Sequence, residues 1–348
     1  MSKNQSKTQA SQIDWNVIEN YIRSHIPFLP NDSLQAKAFS AGYSNITYQI
    51  NIGKWEGVFR RQPFGDLPPN AHDMKREFTI LGKLNPVFPL APKPFLYCDD
   101  PAITDKQFYI MEKKVGLVLD DSLPPELDGN QAYARAVSET VVDTLTRLHS
   151  IDYKAAGLNM IGKPNGYLER QVKGWIKRYE RSKTDELDGV GETEQWLLGK
   201  LPSSSHSSIV HNDFKLNNMM FSYNSPEAVA VFDWEMSTIG DPLTDLAISL
   251  AYWTEPGETE TGLTSVTSKP GFLTRREFAN LYALKSGNSL SDIDYYLTFA
   301  FYKIAVVLQQ LYYRWKIGDS QDSRFEHLHI GIKNLMHQAN RAKNRELL

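Results

Sequence analysis

The stretch between Ile209 and Glu235 limits what this chain can fold into more than any other. It reads Ile209-Val210-His211-Asn212-Asp213-Phe214-Lys215-Leu216-Asn217-Asn218-Met219-Met220-Phe221, breaks at a polar segment from Ser222 to Glu227, and resumes as Ala228-Val229-Ala230-Val231-Phe232-Asp233-Trp234-Glu235. Two short apolar runs flank a turn signal at Ser225-Pro226, and that pattern predicts a hairpin. The loop entering the hairpin carries Asp213 and Asn218, and its exit carries Asp233. Because a hairpin returns its second strand beside its first, Asn218 and Asp233 are expected side by side although they lie fifteen apart in the sequence.

Three oxygen-bearing side chains gathered in this way suit one kind of chemistry. An Asp in an H-x-D-x-x-x-x-N loop can accept a proton from a hydroxyl group. The Asn five residues on offers a neutral oxygen to a hard cation, and the Asp beyond the hairpin offers a charged one. Mg2+ prefers oxygen ligands and keeps several waters, so one or two protein ligands with phosphate oxygens suffice. This is the kinase arrangement of catalytic loop and metal-binding Asp. A polar surface hairpin explains Asp213 or Asn218 taken singly; the joint pattern with Asp233 argues for a site.

The run His211-Asn212-Asp213 through Asn218, followed by Asp233-Trp234-Glu235, Gly240-Asp241-Pro242 and Asp245-Leu246, resembles the aminoglycoside phosphotransferase and choline kinase family. The resemblance implies an α+β, bilobal, protein-kinase-like fold with a small antiparallel-sheet N-lobe and a larger helical C-lobe. It also implies that Asp213 is the catalytic base, that Asn218 and Asp233 bind Mg2+, and that ATP is the co-substrate. The family usually has Gly where Asn212 stands, and Asp233-Trp234-Glu235 replaces the Asp-Phe-Gly of protein kinases, as is usual there. The segments Gly166 to Trp175, Gly271 to Tyr282 and Tyr295 to Trp315 look like a subgroup that includes kinase-like domains joined to acyl-CoA dehydrogenases. The resemblance spans about residues 35 to 340.

Composition narrows the class. A length of 348 residues with 41% apolar content supports a sizeable core in one or two domains. A net charge of -3 gives no electrostatic footprint for nucleic acid. The single cysteine, Cys98, forms no internal disulfide and fits a reducing cytoplasm. No run of eighteen apolar residues is present to span a membrane, and the polar segment Met1 to Gln12 lacks the apolar region of a signal peptide. The expected organisation is a disordered tail over 1–12, an N-terminal lobe with a leading helix over 13–113, and a helical C-terminal lobe with the hairpin over 114–348. Ile13, Val17, Ile18, Tyr21 and Ile22 predict the leading helix, which is expected to pack on a neighbouring lobe.

Residues 36 to 63 read as strands and tight turns. From Ala38 to Ile50 the pattern is strand, loop, strand, and the small loop residues let backbone N–H groups approach a phosphate; a plain hairpin turn explains the stretch equally well. No G-x-x-x-x-G-K-[ST] occurs, so a Walker-type site is not supported. By resemblance this loop covers the nucleotide, with Ser44 and Asn45 at its tip. A kinase needs a cation on the next strand for the α and β phosphates, oriented by an acid on the next helix. The matching residue is Arg60 where Lys is usual; its planar fork of donors suits phosphate with a different geometry. The candidate partner is Glu77, on a helix from about Ala71 to Leu84 whose Phe78, Leu81 and Leu84 share a face. By resemblance Glu112, ending a strand from Gln107, begins a hinge whose backbone holds an adenine.

In the second half, Ala134, Val137, Val141, Leu145 and Leu148 predict a long helix over 131–150, with His149 structural. Asp241-Pro242 caps a helix, and Asp245 reads as a buried carboxylate fixing a loop through backbone N–H groups. Glu258 to Lys269 reads as a loop over the site or a disordered one, and Thr274 with Glu277 as a capping box. The helix from Gly166 to Tyr179 offers either a solvated basic face with Trp175 in the core or a wall for an anionic substrate. At the end of an aromatic helix from Ser291, Arg314-Trp315-Lys316 could reach a ligand.

These readings converge on an ATP-dependent phosphotransferase with an alcohol acceptor: ATP between the lobes, Mg2+ on Asn218 and Asp233, phosphates gripped by Arg60 with Glu77, and Asp213 taking the acceptor's proton. Hydroxylated acyl-CoA derivatives are one acceptor class the resemblance implies. The alternative is a cationic acceptor, an aminoglycoside or choline, for which the aromatic helices allow a cage, while Arg170, Lys177, Arg178 and Arg314 argue for an anion. A nucleotide-binding pseudokinase is favoured by Arg60 and opposed by the other three polar residues. The expected partner is a small hydroxyl compound, with no nucleic acid and no membrane.

Overall fold

Alternating apolar residues in the first third of the chain build an antiparallel sheet. Its strands are β1 (Gln35–Ala38), β2 (Ile46–Ile52), β3 (Trp55–Arg61), β4 (Pro94–Cys98) and β5 (Phe108–Met111), in the order β1-β2-β3-β5-β4. The structure is a computed structural model that describes residues 13–39, 45–63, 73–204, 206–263 and 265–348. The chain divides into two units, Met1–Val115 and Gly116–Leu348.

In the first unit, Ile50, Ile52, Phe59, Leu96, Cys98, Phe108 and Ile110 form one buried cluster with Ile18 and Ile22 of helix α1 (Trp15–His25). Ile18 and Ile22 lie four apart and so share a helix face. Asp14 caps the helix, accepting from the amides of Asn16 and Val17 at 3.0 and 3.3 Å. The leading helix therefore packs on the sheet of its own unit, because that sheet's apolar face needs a cover; the expectation of a neighbouring lobe is corrected. Side chains alternate along a strand, so Phe59 faces α1 while Arg60 faces the other way. Helix α2 (Met74–Leu84) buries Met74, Glu77, Ile80, Leu81 and Leu84. Phe78 does not share that buried face; it lies half-buried near Tyr97, with ring centroids 5.7 Å apart. The ionisable Glu77 takes the inward position because Arg60 is there to pair with it.

The second unit is mainly helical. It contains α3 (Gln131–His149), α4 (Tyr167–Ser182), α5 (Val190–Gly199), α6 (Pro242–Tyr252), α7 (Arg275–Ser286), α8 (Ile293–Lys316) and α9 (Leu328–Lys343). Two small antiparallel sheets interrupt the helices: β6 (Leu117–Val118) with β8 (Met219–Phe221) and β9 (Ala228–Val231), and β7 (Ser208–Val210) with β10 (Thr238–Gly240). Asp241 caps α6 through the Leu243 amide at 2.9 Å, and Thr274 and Glu277 form a capping box on α7.

The segment after α6 differs from its sequence reading. Arg275 is 1% exposed; its guanidinium donates to the Leu250 carbonyl at 2.8 Å and to Glu258 Oε2 at 2.6 Å, with Glu255 at 3.4 Å. Val266 and Thr267 are buried, and the Val266 amide donates to the Asp120 carbonyl at 3.2 Å. Buried ion pairing and burial of Val266 tie the described residues of Glu258 to Lys269 to the unit, so of the two readings the disordered one is corrected and a packed loop is found. No helix among the described residues is long and apolar enough to cross a membrane.

Candidate active site

The pairing of β8 with β9 sets Met219 opposite Val231, and the Phe232 amide extends the ladder to the Asn218 carbonyl at 2.8 Å. Asn218 therefore enters the hairpin as Asp233 leaves it. Asn218 Nδ2 donates both to Asp213 Oδ2 and to the Asp213 carbonyl, each at 2.9 Å. Its amide oxygen is thus the end turned from Asp213. Lys215 Nζ lies 3.2 Å from the same Asp213 Oδ2, which leaves Oδ1 as the less engaged carboxylate oxygen. The Asp213 side chain is 22% exposed, so a small molecule can reach it.

Asp213 is held by a backbone that is unusual in two places. Asn212 has φ 68° and Asp233 φ 67°, both in the left-handed region. Asparagine and aspartate tolerate that region better than other side chains, and glycine occupies it freely, so Asn and Gly are interchangeable at Asn212 on steric grounds. The Asn212 side chain is used as well: its Oδ1 accepts from Tyr167 at 2.7 Å and its Nδ2 donates to the Met236 carbonyl at 3.1 Å. Tyr167 lies flat against Gly240, where an added Cβ would stand 2.6 Å from the ring.

Beneath the loop sits Asp245, fully buried on α6. Its carboxylate accepts from the backbone amides of His211 and of Asn212, the latter at 2.7 Å, and His149 Nε2 lies 3.4 Å away. Burial opposes the Asp245 charge, but the hydrogen bond and charge of His149, the His211 imidazole and the His211 amide outweigh it and hold the carboxyl below its ordinary value. His149 is buried, with Nδ1 2.7 Å from the Tyr282 hydroxyl. His211 Nε2 lies 2.8 Å from the Phe232 carbonyl and so braces the Asp213 loop against the hairpin exit.

Sequence reasoning missed two lysines. Lys215 follows Asp213 by two and lies 4.8 Å from the centre of the Tyr252 ring as well as beside Asp213. Burial works against its ammonium; Tyr252, Asp213 and Asp233 outweigh burial and raise its pKa. Tyr252 is itself pushed up to about 12, chiefly by burial, and is uncharged at neutral pH, so the two carboxylates act there. The second is Lys303 on α8, which donates to the Asn212 carbonyl at 2.7 Å. The H-x-D-x-K spacing was a usable signal for Lys215. A lone lysine in an apolar helix gave none for Lys303.

Two carboxylates, Asp213 and Asp233, thus act on one ammonium, and Asn218 at the hairpin entrance adds an amide oxygen turned from Asp213. Hard oxygen donors in excess of positive charge fit Mg2+.

In the first unit, Arg60 Nε lies 3.3 Å from Glu77 Oε2, and both side chains are largely buried. Asn45 immediately precedes β2, whereas Ser44 lies outside the described residues. Glu112 follows β5; its Oε2 accepts from the Lys93 amide at 3.1 Å and pairs with Lys114 at 3.0 Å. Of the basic residues read as a substrate wall, Arg170 donates to the carbonyls of Lys163 and Asn165, and Arg314 pairs with Asp319. Lys316 pairs with Asp185. Arg178 instead lies over the Trp175 ring, 4.5 Å from its centroid, and the same ring approaches Lys303 at 5.6 Å.

A small antiparallel-sheet unit followed by a helical unit with this loop and hairpin defines a protein-kinase-like phosphotransferase class. The profile of the phosphotransferase enzyme family matches residues 35–272, and the chain belongs to that family. It is 34% identical to mouse (Mus musculus) acyl-CoA dehydrogenase family member 11 over 323 residues, which is 90% of this chain and 41% of that protein. The chain thus spans well under half the length of that relative. Among solved structures it is similar to a Ralstonia eutropha protein provisionally described as an aminoglycoside phosphotransferase, with TM-score 0.80, 27% identity and coverage of 95% and 99% of the two chains. It shares its fold with choline kinase from Cryptosporidium parvum (TM-score 0.65, 15% identity, 96% and 98% covered). It also shares its fold with an aminoglycoside phosphotransferase in ternary complex with ADP and hygromycin B (TM-score 0.61, 14% identity, 93% and 98% covered).

Proposed function

We propose that this chain transfers the γ-phosphoryl group of ATP to the hydroxyl of a small molecule. The observation that carries the reading is the Asp213 carboxylate, partly exposed and held at one oxygen by Asn218 and Lys215, beside the hairpin exit that carries Asp233. Asp213 accepts the acceptor's proton at Oδ1, the oxygen those two donors leave less engaged. Lys215 offsets the charge on the group in transit; an ammonium fixed before reaction needs no reorganisation when that charge develops. Asn218 and Asp233 would hold Mg2+, which supplies charge neutralisation on the phosphate oxygens when bound. The family membership and the ADP complex of a structural relative support ATP as the donor.

Arg60, oriented by Glu77, is assigned to the nucleotide phosphates, with Ser44 and Asn45 on the loop before β2 and Glu112 after β5 on the nucleotide side. Arg60→Ala is expected to weaken Mg-ATP binding by about 10- to 100-fold, the worth of a charge-assisted contact of roughly 1.5–3 kcal/mol. Calorimetry with a non-hydrolysable ATP analogue measures this, with Arg60→Lys falling between; unchanged affinity in Arg60→Ala would take that residue out of the nucleotide site.

For the acceptor, a hydroxylated acyl-CoA derivative is the class proposed, supported by the acyl-CoA dehydrogenase family relatives. A cationic acceptor is the second reading, favoured by the aminoglycoside and choline kinase folds among the structural relatives. Mg-ATP consumption measured against hydroxyacyl-CoAs, amino alcohols and aminoglycosides separates the two. Absence of both nucleotide binding and ATP consumption across the panel would overturn the kinase reading itself.

A further inference from the structure

We infer that Lys303 is a positioning residue for phosphoryl transfer, reaching from α8 to pin the peptide bond that carries Asp213; this rests on the kinase reading proposed above. Lys303 is 6% exposed, within a run of α8 where Phe299, Ala300, Phe301, Tyr302, Ile304 and Ala305 are also buried. Lysine is almost never fully buried unless paired, since taking its ammonium out of water costs several kcal/mol. No carboxylate lies within salt-bridge distance of its Nζ among the described residues. Its ammonium donates to the Asn212 carbonyl at 2.7 Å, with the Trp175 ring at 5.6 Å. A methionine would fill this place in the helix without the desolvation cost, so the fold alone does not call for an ammonium.

The geometry shows what the ammonium does. A peptide unit is planar, so the Asn212 carbonyl and the Asp213 amide point opposite ways in one rigid plane. Lys303 holds the carbonyl end, and His211 Nδ1, 3.3 Å from the Asp213 amide, holds the other. Fixing that plane fixes the N–Cα bond of Asp213, the axis from which its side chain is set. Asn212 stands in the left-handed region, with its amide held by Asp245 and its side chain by Tyr167 and the Met236 carbonyl, and Lys303 adds the hold on its carbonyl.

The charges acting on Lys303 tie it to the same loop. Burial is the largest influence and lowers its pKa; Asp213 and, from α6, Asp245 oppose burial, while Arg178 of α4 and Lys215 add to it. The outcome is a pKa lowered to about 8, well under that of a solvated lysine.

The test uses the full chain with lysines carrying 13C at Cε, the Lys303 signal being assigned by its loss in Lys303→Arg. The wild-type signal is expected to titrate near pH 8, and in Asp213→Asn, with a neighbouring negative charge removed, to titrate lower by roughly half a unit or more. Identical titrations in the two proteins would overturn the coupling. In Mg-ATP turnover, Lys303→Met is expected to lower kcat at least about tenfold with KM for ATP little changed, as befits a misplaced base. Wild-type kcat is expected to decline above about pH 8 as Lys303 loses its proton, and Lys303→Arg, which stays charged, should recover turnover and lose that decline. Wild-type kcat in Lys303→Met, or an unchanged alkaline decline in Lys303→Arg, would sink the assignment. If no ATP is consumed by any variant or by wild type, the kinase reading fails, and the titration still decides the link between Lys303 and Asp213.

Discussion

Asp213→Asn is expected to lower kcat by about 10²- to 10⁴-fold, the usual worth of a positioned general base, while nucleotide affinity stays near that of the wild type. The amide keeps an oxygen for Asn218 Nδ2 and Lys215 Nζ, so the loop geometry survives and only the capacity to take a proton is lost. Steady-state turnover with the best acceptor and calorimetry with a non-hydrolysable analogue separate the two effects. Near-normal turnover would remove Asp213 from the role of base. A loss confined to nucleotide affinity would instead mark it as a ligand of the metal and phosphates.

The second large effect concerns stability. Asp245 is fully buried and holds two consecutive backbone amides of the Asp213 loop, so Asp245→Ala leaves both without that partner and leaves His149 with only its Tyr282 contact. Breaking a buried charged network by removing one member costs about 3–5 kcal/mol, to be read from the denaturant midpoint. The same group sets an acid limit. Its folded-state pKa lies below the value near 3.9 of an unfolded chain, so its contribution is complete above about pH 4 and is lost as pH falls through the folded value. Wild-type stability should therefore fall more steeply than that of the variant in the acid region. Parallel curves for the two proteins there would show that Asp245 is not the group responsible.

The candidate site was legible where its chemistry and its local structure share one stretch of chain. Asp213, Asn218 and Asp233 could be read because a strand-turn-strand pattern brings the ends of that stretch together. Asp245 could be read because its spacing from the helix cap at Asp241 points it at the loop. Arg60 and Glu77 needed only a strand followed by an amphipathic helix. What stayed hidden depends on contacts between distant segments. Lys303 reaches Asn212 across 91 positions, and no local pattern distinguishes it from a lysine at a helix surface. Arg275 is similar: its burial follows from Glu255, Glu258 and the Leu250 carbonyl meeting at one point. The face of α2 was misread at Phe78 because a buried Glu looks polar in sequence, and only its partner on another element turns it inward.

The β8–β9 hairpin has a bearing on how the chain can vary. Asn218 and Asp233 meet at its open end, while the connecting turn from Ser222 to Glu227 lies at the far end, where Tyr223 and Asn224 are exposed. Residues added to or removed from such a tip disturb little buried backbone. The interval between Asn218 and Asp233 is therefore elastic in length, and a search for kindred chains that demands a spacing of fifteen would overlook some that carry the same pair.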